Sequence, residues 1–451
     1  MTILFDIFPA AGHYNSCFVI ADKLKSAGHR VLFCVGKDFE LTVHKKGFET
    51  VNVCSRFINV DKYELLNKGF LFIVECFISL FTHYRLNILK KNVSDFMDII
   101  RGINPDIVML DAHLSFKTMV YHFLGVPVLS VETKPLSLYD PWVPPFTANM
   151  TPNSSLFSGL HIQYLWNRLL MIRKFNLFLG KLFLFGQDYY SLHQKLSSYC
   201  NFSFRERVDL KRPFITGFKN IGILAMTPFC FDFPRKYDTD CYYAESRVDT
   251  NREDTACNNR YFRIMEKIKL QPDRRLVYCS LGTVISGSES RYRIFFKKMK
   301  VLSERHPDFI FIMSVGMQYN ITQLLPLPVN MYVFQWLPQL DILSRCDIMI
   351  THGGMNSISE CIHQEVPMLV FPLSLQWDQP GNASRVVYHR LGLKGNIVKD
   401  SVQQIDGKLH QIIKEYTFYK QNLSVMKGKM FSDNNELPSW WKAFAVLNVV
   451  A

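Results

Sequence analysis

The sequence predicts an α/β protein in which strands alternate with helices, divided into at least two domains. Three observations lead there. The chain has 451 residues, more than one hydrophobic core usually organises. Near its start, Ile3 to Phe8 is a strand-like apolar run, and Cys17, Ile20, Ala21 and Leu24 then fall at helical spacing until Gly28-His29 stops the helix and Val31 to Val35 returns to strand. That is one βαβ unit of about 30 residues. Far downstream, Ile348, Met349 and Ile350 end at Thr351-His352-Gly353-Gly354, after which Ser357, Ile358, Glu360, Cys361 and Ile362 resume at helical spacing.

Composition excludes several classes. With 48% hydrophobic and 20% charged residues the chain is globular, far from the disordered regime. A formal charge of +13 raises nucleic acid or an anionic membrane as partners. Yet Lys and Arg are dispersed, in short pairs such as Lys297-Lys298, and no nucleic-acid module is recognisable. The expectation is neither a nucleic-acid partner nor an anionic membrane, and the excess positive charge equally suits a small polyanion. The 11 cysteines are scattered without a C-x-x-C pair, which predicts reduced thiols and no zinc site. Asp6 interrupts the first apolar run and no basic segment precedes it, so no signal peptide is expected and the location is read as cytoplasmic. Phe70 to Phe81 is the nearest approach to a membrane span, but it carries Glu75, is flanked by Lys68 and His83, and falls short of the roughly 18 residues needed. No transmembrane anchor is expected. The sequon Asn382-Ala383-Ser384 is read as incidental.

Taken in chain order, the candidate functional residues sit where strands end. His13 lies in the turn Pro9-Ala10-Ala11-Gly12-His13-Tyr14-Asn15-Ser16 after the first strand, at the carboxyl edge where open α/β folds bind ligands. Pro105 to Asp111 reads as a strand closed by a carboxylate, a costly place for a charge unless something pairs with it. Asp106, following Pro105, competes as the partner but reads as turn chemistry. Leu276 to Ser280 leads into Leu281-Gly282-Thr283, a strand with a glycine turn and hydroxyls. Trp336 offers a flat surface on which a planar ring stacks. At Gly353-Gly354 the following helix presents amides without intrahelical partners at the positive end of its dipole, a ready site for a diphosphate. Asn356, Ser357 and His352 add donors there. Glu360, at i+4 from Asn356, offers a carboxylate to vicinal hydroxyls. After the strand Val366 to Phe371, a loop from Pro372 carries Asp378 and Gln379.

The order of these residues from Trp336 to Gln379 resembles the donor-binding signature of the UDP-glycosyltransferases. The resemblance implies the GT-B fold, two Rossmann-like doubly wound domains facing across a cleft. It implies that Trp336 stacks uracil, that Gln339 and Glu360 hold ribose, and that Asp378 and Gln379 hold the sugar hydroxyls. The donor set it implies is completed by Ser280, Gly282, Thr283, Leu337, His352, Gly354, Asn356 and Ser357. A Gly-His-x-Asn-like turn after the first strand carries the general base in this family, which assigns that role to His13, with Asp111 orienting it. The donor is a UDP-sugar co-substrate, UDP-glucose being favoured; the acceptor is a small apolar molecule bearing a hydroxyl. No resident cofactor is expected, and metal independence is expected as well.

The same resemblance assigns residues 1–235 to an acceptor domain, whose Phe-rich middle suits an apolar cleft, 236–259 to a linker, 260–432 to a donor domain, and 433–451 to a tail that crosses back as a helix. With no signal peptide and no membrane helix read from it, the chain is similar to the soluble bacterial-type branch. It departs from the family at Tyr243-Ala244-Glu245, where Tyr-x-Gly-Pro is common, at Arg390, where Gly is frequent, in the composition of its tail, and at Trp377, a bulky ring beside the sugar residues. Two other readings stay open: a transferase acting on a lipid or glycan, and a catalytically silent nucleotide-sugar binder, against which the retention of both His13 and Asp111 argues. A nicotinamide dehydrogenase is poorer, because no G-x-G-x-x-G follows the first strand.

Overall fold

The computed structural model describes residues 1–53, 68–212, 216–235, 241–244, 248, 259–282, 289–431 and 441. Its first half is built on a seven-stranded parallel sheet of order β3-β2-β1-β4-β5-β8-β9. These strands are β1 (Thr2–Asp6), β2 (Arg30–Val35), β3 (Glu49–Asn52), β4 (Ile107–Asp111), β5 (Val128–Glu132), β8 (Gly222–Ala225) and β9 (Cys241–Tyr243), and a small antiparallel pair, β6 (Val208–Asp209) and β7 (Gly217–Phe218), lies apart. Strand residues alternate between the two faces. Ile3, Phe5, Val31, Phe33, Ile107 and Met109 pack with Tyr14, Phe18 and Ala21 of helix α1 (Ala11–Ser26) and with Val43 of α2 (Lys37–Lys45). Leu4, Leu32, Val108 and Leu110 pack against the opposite layer. Helices α3 (Phe70–Thr82) and α4 (Tyr84–Ile103) precede β4; α5 (Thr118–Phe123) precedes β5; α6 (Leu156–Phe183), α7 (Tyr189–Tyr199) and α8 (Phe204–Arg207) follow it. A sheet buried on both faces needs such near-continuous apolar strands. The one charge inside β1, Asp6, is satisfied by Lys117 Nζ at 2.8 Å and by the Tyr121 hydroxyl at 2.7 Å.

The second half repeats the plan with a six-stranded parallel sheet of order β12-β11-β10-β13-β14-β15. Its strands are β10 (Arg275–Ser280), β11 (Phe309–Ser314), β12 (Met331–Phe334), β13 (Ile348–Thr351), β14 (Met368–Val370) and β15 (Gly392–Lys394). Helices α9 (Asn259–Lys269), α10 (Glu289–Arg305), α11 (Gln339–Leu343), α12 (Met355–His363), α13 (Gln379–Tyr388), α14 (Val402–Lys414) and α15 (Tyr416–Met430) cover it. In both sheets the order of strands therefore reverses at one place, between β1 and β4 in the first and between β10 and β13 in the second. At such a switch point the loops leave in opposite directions and open a crevice at the carboxyl ends of the strands.

The connection between the halves is more entangled than a simple linker. Phe231, which follows β8, is buried in the core of the second sheet, and His389 Nε2 lies 3.0 Å from its carbonyl oxygen. The chain then returns, because Cys241–Tyr243, inside the segment expected to be a linker, forms β9 of the first sheet. Trp441 is buried against the first core beside His29. The linker residues 236–240, 245–247 and 249–258 and most of the tail lie outside the described residues.

Where the halves meet, Asp232 is buried between two guanidinium groups. Arg385 of α13 donates Nε–H to Asp232 Oδ1 at 2.9 Å, and Arg235 donates Nε–H to Oδ2 at 3.1 Å. Burial alone would raise the Asp232 carboxyl, but Arg385 foremost, then Arg235, holds it below its ordinary value. Removing one member of a buried pair strands the other, at about 3–5 kcal/mol. Arg385→Met is expected to lower unfolding free energy by about 3 kcal/mol in urea titration, the low end because Arg235 remains. A loss below about 1 kcal/mol would show that this tie is not structural.

Candidate active site

The first switch point carries an imidazole pair on one carboxylate. β1 ends in the turn that starts α1 and delivers His13; β4 ends at Asp111, which is fully buried. His13 Nδ1 lies 2.7 Å from Asp111 Oδ2, and Thr133 Oγ1 lies 3.0 Å from the same nitrogen. Asp111 also accepts from the Phe8 amide at 3.3 Å, and its other oxygen accepts from the His113 amide at 2.9 Å and stands 3.1 Å from His113 Nδ1. Burial would raise this carboxyl, yet His13 above all, with His113, keeps it far below the ordinary carboxylate range. With Nδ1 held by a carboxylate, the proton-accepting nitrogen of His13 is Nε2. Asp106, the competing partner, instead accepts from the Thr2 amide at 2.6 Å.

Three residues here escaped sequence reasoning. His113 follows Asp111 by two, and Thr133 and Lys134 follow β5 directly. Lys134 Nζ stands 3.2 Å from His113 Nε2 and 4.1 Å from the centre of the Trp377 ring, so one ammonium spans the cleft to the second half. Burial pulls Lys134 below its ordinary value, and the charges of Asp378 and Asp111 oppose that. Burial likewise lowers His113, against Asp111. A polar residue just past a buried strand, on the carboxyl edge, is the pattern that would have found all three.

The second switch point is built from β10, β13 and the loops after them. Ser280 ends β10 and is buried, and Gly282 follows with φ +87°. A Cβ on Gly282 would stand 2.9 Å from His352 Cε1, and one on Gly354 would stand 2.7 Å from His352 Nε2, so both glycines exist to admit this ring. His352 Nδ1 is buried and has no partner among the described residues. An orphaned buried nitrogen beside the uncapped N-terminus of α12 fits an anionic oxygen. Asn356 and Ser357 lie in the first turn of that helix. Thr283 lies outside the described residues.

On α11, Gln339 donates Nε2–H to Glu360 Oε2 at 2.7 Å and to Ser357 Oγ at 3.2 Å, which gathers the three residues assigned to ribose and phosphate. Trp336 is half-buried just before them. Leu337 differs from expectation: its side chain is core, packed with Phe334 and Ile342, which leaves only its backbone to meet a donor. Gln379 also differs in part. Its Oε1 accepts from the Leu373 and Ser374 amides at 2.8 and 3.0 Å, so the side chain shapes the loop, and its amide NH2 alone remains for a hydroxyl. Asp378 Oδ2 accepts from Asn382 at 2.8 Å. Asn382 itself is fully buried, which closes the sequon to a glycan.

Among the described residues two groups bring ligand atoms close enough for a metal, His13-Asp111-His113 and His306-Asp406-His410. In the first, both imidazoles present Nδ1 to separate oxygens of one carboxylate, an arrangement complete as hydrogen bonds. The cysteines among the described residues form no disulfide.

Comparison with known proteins gives a consistent result. The family model described as UDP-glucoronosyl and UDP-glucosyl transferase matches residues 226–435. A zeaxanthin glucosyltransferase of Pantoea ananas is 30% identical over 165 residues, 37% of this chain and 36% of that one. The match thus spans about a third of that relative's length. The NDP-glycosyltransferase YjiC of Bacillus subtilis (strain 168) is 23% identical over 400 residues, covering 87% and 84% of the two chains. Among solved structures, the glycotransferase of kitacinnamycin superposes with a TM-score of 0.63 at 17% identity over 95% of this chain and 94% of that one. The calicheamicin glycosyltransferase CalG4 gives 0.62 at 16% over 100% and 99%. At such identities the likeness is one of fold, and that fold is GT-B.

The geometry of His352 generates a pH prediction. Burial lowers its imidazole from the ordinary 6.5 to about 4, with Asp378 opposing. The unfolded chain therefore takes up this proton first as pH falls, so the contribution is whole above about pH 6.5 and is lost progressively down to about pH 4. His352→Gln, which does not titrate, should flatten the slope of melting temperature against pH in that window. An unchanged slope would mean that the ring is already solvated.

Proposed function

We propose that the chain is a UDP-glycosyltransferase, as the family model matching residues 226–435 supports, and that it transfers a hexose, glucose in our reading, from a UDP-sugar to a hydroxyl of a small apolar acceptor, in the cytoplasm, with inversion and without a metal. The observation that carries this reading is the meeting of the two switch points. The His13–Asp111 pair lies on one side, the orphaned His352 nitrogen and the amides of α12 on the other, and Lys134 joins them through Trp377.

In this mechanism the UDP moiety rests on the second half. Trp336 stacks the uracil, Glu360 accepts from the ribose hydroxyls, and the first amides of α12 with His352 receive the diphosphate. Because burial keeps His352 neutral, it donates one N–H and adds no charge. Asp378 and the free amide of Gln379 orient the sugar. The acceptor hydroxyl then approaches His13 Nε2. As its oxygen forms the bond to the anomeric carbon, its proton passes to Nε2, the bond from that carbon to the β-phosphate oxygen breaks, and UDP leaves with the electron pair. Asp111 stabilises the imidazolium that results, and helix amides meet the charge growing on the diphosphate. Lys134 supplies a fixed positive charge between the two centres.

A transferase acting on a lipid or glycan would use the same two centres and differ only in the acceptor cleft. A silent binder would have no need to keep a buried carboxylate on His13.

Two measurements test the proposal. In calorimetry with EDTA present, UDP should bind more tightly than ADP, and Glu360→Ala should lose about 1.5–3 kcal/mol; equal affinity for the two nucleotides would reject the donor assignment. His13→Ala should leave UDP affinity nearly intact while transfer, followed as UDP release with a responsive acceptor from a panel of phenols, terpenoids, macrolides and sterols, falls about 10²- to 10⁴-fold. Asp111→Asn should lose somewhat less, and the double variant little more than His13→Ala, since the two act as one unit. Near-normal transfer by His13→Ala would eliminate the dyad as the base.

A further inference from the structure

Helix α6 carries a surface for which nothing in the reaction accounts. It is 28 residues long, and it holds on to its own domain by one side: Ser158, Ile162 and Trp166 are buried, the last donating its indole N–H to the Val143 carbonyl at 2.9 Å. On the opposite side, Leu160, Tyr164, Met171, Phe175, Phe178 and Leu182 are each more than half exposed. At about 100° per residue these six fall within a sector of about 60°. Single exposed apolar residues are ordinary, but a continuous aromatic and aliphatic stripe is not.

Charge frames the stripe. Arg168 borders one edge and Lys174 and Lys181 the other, all exposed, and the helix contains no Asp or Glu. Helix α3 extends the apolar surface at the far end. Phe77 meets Phe185, just beyond α6, at 5.2 Å between ring centres, and Phe70, Phe77 and Phe81 of α3 are exposed. An apolar groove of about 740 Å³ lies beside it, between α3 and α4, lined by Leu71, Val74, Ile78 and Ile88.

We propose that α6, with α3, docks this protein onto the surface of a lipid bilayer containing anionic lipids, the apolar stripe entering the acyl boundary and Arg168, Lys174 and Lys181 meeting the headgroups. Such helices lie in the interface with the apolar face about 5–10 Å deep. Neither helix spans a bilayer by itself, and α3 with α4, long and apolar enough only as a pair, is bent by 80° at the break between them. Among the described residues no single helix is long and apolar enough to cross; α3, at 13 residues, is only about 20 Å long, and α6 carries Arg168, Arg173 and Lys174 at its centre. Charge also selects among occupants. A second copy would bring one basic rim of α6 against another with no acidic residue on that helix to relieve it, and Glu75, the acidic residue of α3, is paired with Lys68 at 3.0 Å, whereas a bilayer offers an apolar interior beneath negative headgroups. This inference does not depend on the acceptor or the sugar.

The test is co-sedimentation with large vesicles of phosphatidylcholine, with and without about 30% phosphatidylglycerol, using the full chain. Binding to the mixed vesicles should exceed that to phosphatidylcholine alone by about tenfold or more and should weaken as salt rises to about 0.5 M. Phe175→Glu with Phe178→Glu should abolish binding to both vesicles. Lys174→Ser with Lys181→Ser should remove most of the anionic preference. Because these side chains are exposed, melting temperature and UDP affinity should match wild type in both variants, which separates lost docking from lost folding. The proposal is overturned if the wild type stays in the supernatant with both vesicles. It is equally overturned if sedimentation velocity without lipid reveals a dimer that Phe175→Glu with Phe178→Glu dissociates.

Discussion

A single buried charge, the carboxylate of Asp111, sets the terms for the first half of the site. It ends a strand that is apolar throughout and has no contact with solvent. An unpaired carboxylate there would cost more than the domain could spare. Its satisfaction takes donors from three directions, the amides of Phe8 and His113 and the ring of His13. Those demands fix the loop after β1, the short turn after β4 and the ring orientation of His13 together. The geometry proposed for catalysis and a solution to a desolvation problem are here the same set of hydrogen bonds.

The second half solves the opposite problem. Instead of a charge demanding donors, it holds donors without an acceptor: the first amides of α12 and His352 Nδ1. The ring is admitted by Gly282 and Gly354, whose missing side chains would otherwise occupy its place. Over-satisfied acceptor on one side and unsatisfied donors on the other give the crevice its polarity, and Lys134 sits where the two fields overlap.

Much of this was legible in the chain because it is encoded locally. A strand, a glycine turn and a helix start within fifteen residues, so periodicity alone locates His352, Asn356, Ser357 and Glu360 on one helix end. The His13–Asp111 pairing is different, since 98 residues separate its members; it was readable through the family resemblance, with which the placement of both residues at the carboxyl edge of parallel strands agreed. Lys134 and Thr133 were missed because a loop residue has no periodicity, and its role comes from which strands are neighbours. Gln379 was read as facing sugar, yet its carbonyl oxygen turns to the Leu373 and Ser374 amides, a choice made by unsatisfied loop backbone that no spacing announces. Leu337 lies between β12 and α11, where core packing took its side chain. The Asp232–Arg385 tie, 153 residues apart, had no sequence pattern at all.

The path of the chain between its halves bears on how such proteins can be recombined. Phe231 is committed to the second core before Cys241–Tyr243 completes the first sheet, and Trp441 returns to the first core at the end. The two lobes are therefore stitched rather than strung. A cut between Phe231 and β9 leaves an aromatic plug on the wrong fragment, a cut between β8 and Phe231 misplaces β9 instead, and a graft of the second lobe from a relative imports a foreign Phe231 socket together with a foreign seat for the returning tail. Exchangeable pieces in this architecture are defined by what crosses the seam, so a hybrid must carry the residues around Asp232 and Trp441 along with the lobe they grip.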